Sequence, residues 1–168
     1  MPLKIVIESN TSYRRIRFIM KKVSLLIAAV LMTVTCALAQ IHQPVKWSVA
    51  HKKLNKNEAV VYVKATIQNG WNIYSQNVAD GGPIPTSFKF ETSKDYTLNG
   101  KTAEPTAKTK YEEVFKMNVP YFTNEVVFQQ KVKLNKGTAT VKGTVEWQAC
   151  DKSQCLPPDE YNFAVTVK

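Results

Sequence analysis

Apolar and polar residues alternate at a period of two through most of the chain after residue 57, and this restricts the fold more than any other feature of the sequence. Residues 58–68 read EAVVYVKATIQ and place Val61, Val63, Ala65 and Ile67 on one face. Residues 126–134 bring Val126, Phe128, Val132 and Leu134 together, with Gln130 as a polar exception. Residues 138–147 do the same with Val141, Val145 and Trp147, and the last segment with Tyr161, Phe163, Val165 and Val167. Shorter segments lie at 71–74 (WNIY), after an Asn69-Gly70 turn, and at 86–91 (TSFKFE). Met117, Val119 and Tyr121 also alternate, and Pro120 among them predicts an edge strand or a short one. This period, filled with β-branched and aromatic residues, marks half-buried strands. After residue 39 no stretch carries apolar residues three and four apart over a helical length. About eight short strands joined by turns predict an all-β fold, an immunoglobulin-like β-sandwich in one domain.

The first 39 residues follow a different pattern. Residues 20–40 read MKKVSLLIAAVLMTVTCALAQ: two lysines, an apolar run over 23–32, then Ala37-Leu38-Ala39. That order is a secretory signal peptide. Its apolar run falls short of the roughly 20 residues of a transmembrane helix. Residues 1–39 are therefore expected to be leader and signal, with cleavage after Ala39; translation is expected to start at Met20, the alternative being that residues 1–19 form a long basic leader. Residues 40–168 then form the mature domain. The alternative is a lipid anchor on Cys36, although Val34 and Thr35 are not the small pair usual before a lipid-modified cysteine.

Removing the leader changes the charge. The whole chain has 23 basic and 13 acidic residues, and the first 39 hold six and one of them. Residues 40–168 therefore carry +5, with every positive charge a scattered lysine. Arginine is the usual residue for bidentate phosphate or guanine contact, so no nucleic-acid partner is expected. A soluble monomer is. His42 and His51 lack ligand spacing, so neither metal nor other cofactor is implied. No Ser-His-Asp signature, phosphate loop or convergent carboxylates point to a small-molecule enzyme.

The chemistry lies in residues 146–158, EWQACDKSQCLPP. A strand runs into Cys150, four polar residues turn, and Cys155 leads into Pro157 and Pro158. Two cysteines flanking such a turn can meet with disulfide geometry, and export brings the chain into an oxidising compartment. One reading makes this bond a staple. However, so short a loop stabilises by only about 2 kcal/mol in the chain-entropy model. The other reading makes it an exchange site, because exposed disulfides are the more easily exchanged. Lys152 would favour a thiolate and Asp151 would oppose one. The prolines hold the following backbone open or simply end strand pairing.

Cys-x4-Cys-Leu-Pro-Pro after Glu146-Trp147-Gln148-Ala149 resembles the amino-terminal periplasmic domain of the thiol:disulfide interchange protein DsbD. Residues 69–75 (NGWNIYS) and 81–88 (GGPIPTSF) resemble two further segments of that family. The resemblance implies an immunoglobulin-like fold and a protein-disulfide reductase component, an electron carrier rather than a small-molecule enzyme. It implies a thioredoxin-like electron donor and periplasmic disulfide-bearing clients. It makes Cys155 the exchange cysteine and Cys150 the resolving one. It also implies a cap loop of acidic residues followed by aromatics over the cysteines, for which Glu112, Glu113, Val114 and Phe115, after Tyr111, are the match. Carboxylates there would raise a thiol pKa; the alternative is a solvated glutamate pair beside ordinary core residues. The sequence departs from the pattern in three ways. Four residues lie between its cysteines where the best-known members have five, and the aromatic pair of the cap is reduced to Val114-Phe115. It also lacks the membrane and thioredoxin-like domains, so a separately encoded membrane electron-transfer protein is expected.

Two functions follow. One is a periplasmic carrier relaying reducing equivalents through Cys150 and Cys155. The other is a non-catalytic β-sandwich binding module with a structural disulfide, whose contact surface would include Trp71, Tyr74, Tyr111 and Phe115.

Overall fold

Eleven strands and no helix make up residues 43–168 in a computed structural model of the chain. The described residues are these and, in a helix before them, Arg17, Met20, Lys21 and Val23. Apart from those positions, the expected signal sequence, its cleavage point after Ala39 and Cys36 lie outside the described residues. The chain divides into two units, Met1–His42 and Gln43–Lys168.

The strands of the second unit form three antiparallel sheets. The first has the order β1-β2-β8-β5, from β1 (Val45–Asn55), β2 (Glu58–Ile67), β8 (Glu125–Leu134) and β5 (Tyr96–Leu98). The second is β10-β3-β7-β6, from β10 (Ala149–Cys150), β3 (Asn72–Tyr74), β7 (Met117–Phe122) and β6 (Lys108–Glu112). The third is β11-β9-β4, from β11 (Asp159–Val167), β9 (Ala139–Trp147) and β4 (Ser87–Phe90).

Alternation decides which face goes inward. Val63 pairs with Phe128 and Ala65 with Val126, so the apolar faces of β2 and β8 coincide. They share one core with Val141, Val145, Phe163 and Val167 of the third sheet and with Ile73, Phe122 and Ala149 of the second. Fully burying such a side chain stabilises by about 1.5–3 kcal/mol. Phe128 sits at the centre, with ring centroids 5.0 Å from Phe88, 5.8 Å from Phe122 and 6.2 Å from Trp47. The result is the expected all-β sandwich of antiparallel sheets.

Two local outcomes differ from expectation or refine it. β7 lies between β3 and β6, so Pro120 sits in an interior strand and not at an edge. The Pro120 carbonyl accepts the Ser75 N–H just beyond the end of β3, so the missing N–H falls where that ladder already stops. Gln130 does point into the core, where its amide donates to the Gly100 carbonyl and its oxygen accepts the Thr102 hydroxyl. The apolar face tolerates it because both ends are bonded.

Candidate functional site

Cys150 and Cys155 form a disulfide, with S–S 2.05 Å and Cα atoms 4.0 Å apart. They face each other as an isolated antiparallel bridge. The flanking hydrogen bonds run from Asp151 N–H to the Gln154 carbonyl and from Leu156 N–H to the Ala149 carbonyl. The cysteines thus occupy the narrow, non-hydrogen-bonded position of a hairpin, where opposed side chains come closest. Asp151 shapes the turn: its Oδ1 accepts the N–H groups of Ser153 and Gln154 at 2.7 and 2.8 Å and the Ser153 hydroxyl at 2.9 Å. Those N–H bonds hold its carboxyl below the usual range. The two sulfurs differ in access. Cys150 is 2 % exposed, whereas Cys155 stands exposed on the turn.

Cys150 opposes Asn72, Tyr74 opposes Tyr121, and Lys110 opposes Val119. Opposed and alternate residues share a face. The outer face of the second sheet therefore presents Cys150, Asn72, Tyr74, Val119, Lys110 and Glu112 together. Tyr74, Val119 and Cys150 form a small core of their own, backed by Val78, Met117 and Tyr121. A polar chain borders it. The Tyr74 hydroxyl donates to Glu112 Oε1 at 3.1 Å, Lys110 Nζ lies 2.6 Å from the same oxygen, and it donates to Asn72 Oδ1 at 2.9 Å. Lys110 also sits 4.9 Å above the Tyr121 ring, a cation–π contact. Burial pushes the Tyr74 phenol up to about 12; the nearby Asn72 amide pulls the other way and the Glu112 carboxylate adds to the rise.

The loop between β3 and β4 closes one side of the hairpin. Gln148 accepts the Ile84 N–H and donates to the Leu156 carbonyl, tying that loop to the chain just after Cys155. Gly82 lies so near Val78 and Met117 that an added Cβ would fall 2.6 Å from the Val78 Cγ1. Glu104 anchors the start of the loop, accepting the Ser75 hydroxyl, the Gln76 N–H and the Asn77 amide.

The sequence pattern of the family described as "Thiol:disulfide interchange protein DsbD, N-terminal" matches residues 41–166. The chain belongs to this family. No curated protein matches it. Among solved structures, it resembles the N-terminal periplasmic domain of ScsB from Proteus mirabilis, with a TM-score of 0.52 and 13% identity, covering 77% of this chain and 49% of that one. The present chain thus spans about half of that structure's length, and the likeness shows a shared fold. The DsbD N-terminal domain of Neisseria meningitidis in its reduced form scores 0.46 at 19% identity, covering 70% and 83% of the two chains. Its complex with the PilB N-terminal domain scores 0.49 at 16%, covering 76% and 86%.

The residues singled out from the sequence do not all meet in this DsbD-family domain. Cys150, Cys155, Tyr74 and Glu112 converge. Trp71 and Tyr74 are buried, so neither belongs to an exposed contact surface; Tyr111 is exposed. Glu113 and Val114 stand at the tip of the β6–β7 hairpin, with Val114 84 % exposed and Phe115 half-buried. The apolar residues grouped with Cys150 are Tyr74, Val119, Val78, Met117 and Tyr121, not Val114. Asn72, Lys110 and Gln148 were not singled out. The only signal for Asn72 and Lys110 was a polar residue on the outer face of a strand; the Gln148 contacts span 64 and 8 residues and leave no spacing pattern.

Proposed function

We propose that this domain relays reducing equivalents through Cys150 and Cys155 to disulfide-bearing proteins in the periplasm, with Cys155 as the exchange cysteine. The observation that carries this reading is the unequal access of the two sulfurs: Cys155 is exposed and Cys150 is buried. A thiolate from outside reaches Cys155. In the reducing direction the Cys155 thiolate attacks a client disulfide and forms a mixed disulfide, expelling one client thiolate. The Cys150 thiolate then attacks the Cys155 sulfur, and the second client sulfur leaves with the electron pair. The client is reduced and the Cys150–Cys155 bond is formed. A thioredoxin-like dithiol regenerates the domain by the reverse sequence. Membership of a family that relays reductant in the periplasm supports this assignment. So does the site itself, where a fixed turn offers one sulfur and shelters the other.

The test is trapping. In cells expressing the full chain, Cys150→Ala should accumulate mixed disulfides through Cys155, visible as reducible higher bands on gels, whereas Cys155→Ala should not. The pair should also have a reduction potential above about −300 mV, the upper bound typical of structural disulfides. No trapped species together with a lower potential would make the bond a staple.

A further inference from the structure

When a thiolate attacks the exposed Cys155, the departing electron pair is left on the Cys150 sulfur. That sulfur is buried beside Tyr74 and Val119. Apolar burial disfavours a thiolate, and the Glu112 carboxylate on the same face works in the same direction. The protons facing this sulfur therefore decide how well it leaves. The Tyr74 hydroxyl proton goes to Glu112. The Lys110 ammonium is engaged by Glu112 and Asn72 and lies over Tyr121. Asp151, in the turn, is an acceptor whose Oδ1 is filled by Ser153 and Gln154.

Asn72 is different. It lies directly opposite Cys150 in the β3–β10 register and is 5 % exposed, and its Nδ2, although near enough to the Tyr74 oxygen to lower that phenol's pKa, completes no hydrogen bond. The orientation of its amide is fixed by chemistry. Lys110 has only protons to offer, so the oxygen must face Lys110 and the NH2 end is turned to the side of the Tyr74 oxygen, which packs with Cys150. Directly opposed residues hold their Cβ atoms about 4.5–5.5 Å apart, which brings an asparagine amide within reach of a cysteine sulfur. A buried donor left unpaired is unfavourable, and each one in a folded protein calls for an explanation.

We propose that Asn72 Nδ2 is the hydrogen-bond donor to the Cys150 thiolate, and that Lys110 positions it by holding Oδ1. This deepens the exchange function above and rests on it. As an incoming thiolate bonds to the Cys155 sulfur, the Cys150–Cys155 bond breaks and its electron pair goes to Cys150 Sγ. The new anion accepts the Asn72 N–H that had no partner in the disulfide form. In the reverse step the same bond steadies Cys150 as the attacking nucleophile.

The test reads the Cys150 pKa directly, in the full chain carrying Cys155→Ala, from the ultraviolet absorbance of the thiolate. Adding Asn72→Leu should raise that pKa by about one unit, a tenfold loss of thiolate below the pKa. In the two-cysteine protein the same substitution should slow cleavage of the disulfide by dithiothreitol several-fold, since a less acidic thiol leaves more slowly. Lys110→Gln should also raise the pKa, and Lys110→Arg should restore it. Combining Lys110→Gln with Asn72→Leu should add nothing to Asn72→Leu alone. A folded Asn72→Leu variant with an unchanged pKa would overturn the proposal, and additive shifts would reduce Lys110 to a bare charge. If Asn72→Leu does not fold, the half-exposed Lys110 carries the test, and no rise in Lys110→Gln overturns it. The pKa is read without a partner. Failure to trap clients would remove the relay and leave this result standing, while trapping without a pKa shift would do the reverse.

Discussion

A buried tyrosine hydroxyl needs a partner, and at position 74 that partner is a carboxylate on the next strand but one. Because burial raises its pKa to about 12, the folded protein holds the phenol proton more tightly than the unfolded chain, where the value is near 10. The stabilisation is fully present below about pH 10 and is lost as pH rises through about 12. The phenolate absorbance of the folded protein should therefore contain a component with a midpoint near 12 that is missing in Tyr74→Phe. A titration of that component near 10 would show the site to be open to water. Asp151 behaves in the opposite sense: with its pKa lowered by the turn, its contribution is present above the unfolded carboxyl pKa and fades as pH falls through the folded one. The sequence offers Tyr74 for the contact surface of the binding-module alternative, whereas the residue is buried, and the reason this is not legible is local. Asn72, Ile73 and Tyr74 are all buried, and three consecutive buried positions contain no alternation from which a face can be read.

At the scale of strands, legibility follows how unequal the two faces are. β2, β8, β9 and β11 were foreseen to within a residue or two because each turns an apolar side to the core. β1 escaped notice: beyond Val49 every position to Asn55 is exposed, and its lysines conceal the pairing with β2. β5 and β10, with three and two residues, are too short for any period to show. Packing between strands was equally hidden. Gly143 lies on β9 opposite both Phe90 and Phe163. A Cβ built there would meet the Lys89 carbonyl oxygen at 2.7 Å and the Phe163 ring at 2.8 Å. Backbone cannot yield as a flexible side chain does, so Gly143→Ala should destabilise by about 1–3 kcal/mol through overpacking. Urea denaturation would detect this as a lower midpoint at unchanged slope, and a midpoint equal to that of the parent would show that the third sheet has room to shift.

For the whole molecule, the question is how much of its stability depends on the disulfide. The cysteine pair was visible in the sequence because its chemistry is local, five positions apart around an Asp-anchored turn. The core was visible through its alternation. What could not be read was their separation: Cys150 belongs to a small cluster on the outer face of the second sheet, not to the main core. The large core draws on all three sheets, and the strands that carry most of it, β2, β8, β9 and β11, are held by long antiparallel ladders. A bond closing so short a loop restricts few conformations of the unfolded chain and contributes about 2 kcal/mol in the entropy model. Reduction should therefore leave residues 43–168 folded, with a urea midpoint lowered by no more than that amount divided by the slope. A domain that cycles between oxidised and reduced forms needs this independence, since a fold that melted on reduction would lose its turn at each step. Loss of the cooperative transition on adding reductant, or a drop near 5 kcal/mol as for a long-loop crosslink, would tie the sandwich to the bond and count against a carrier.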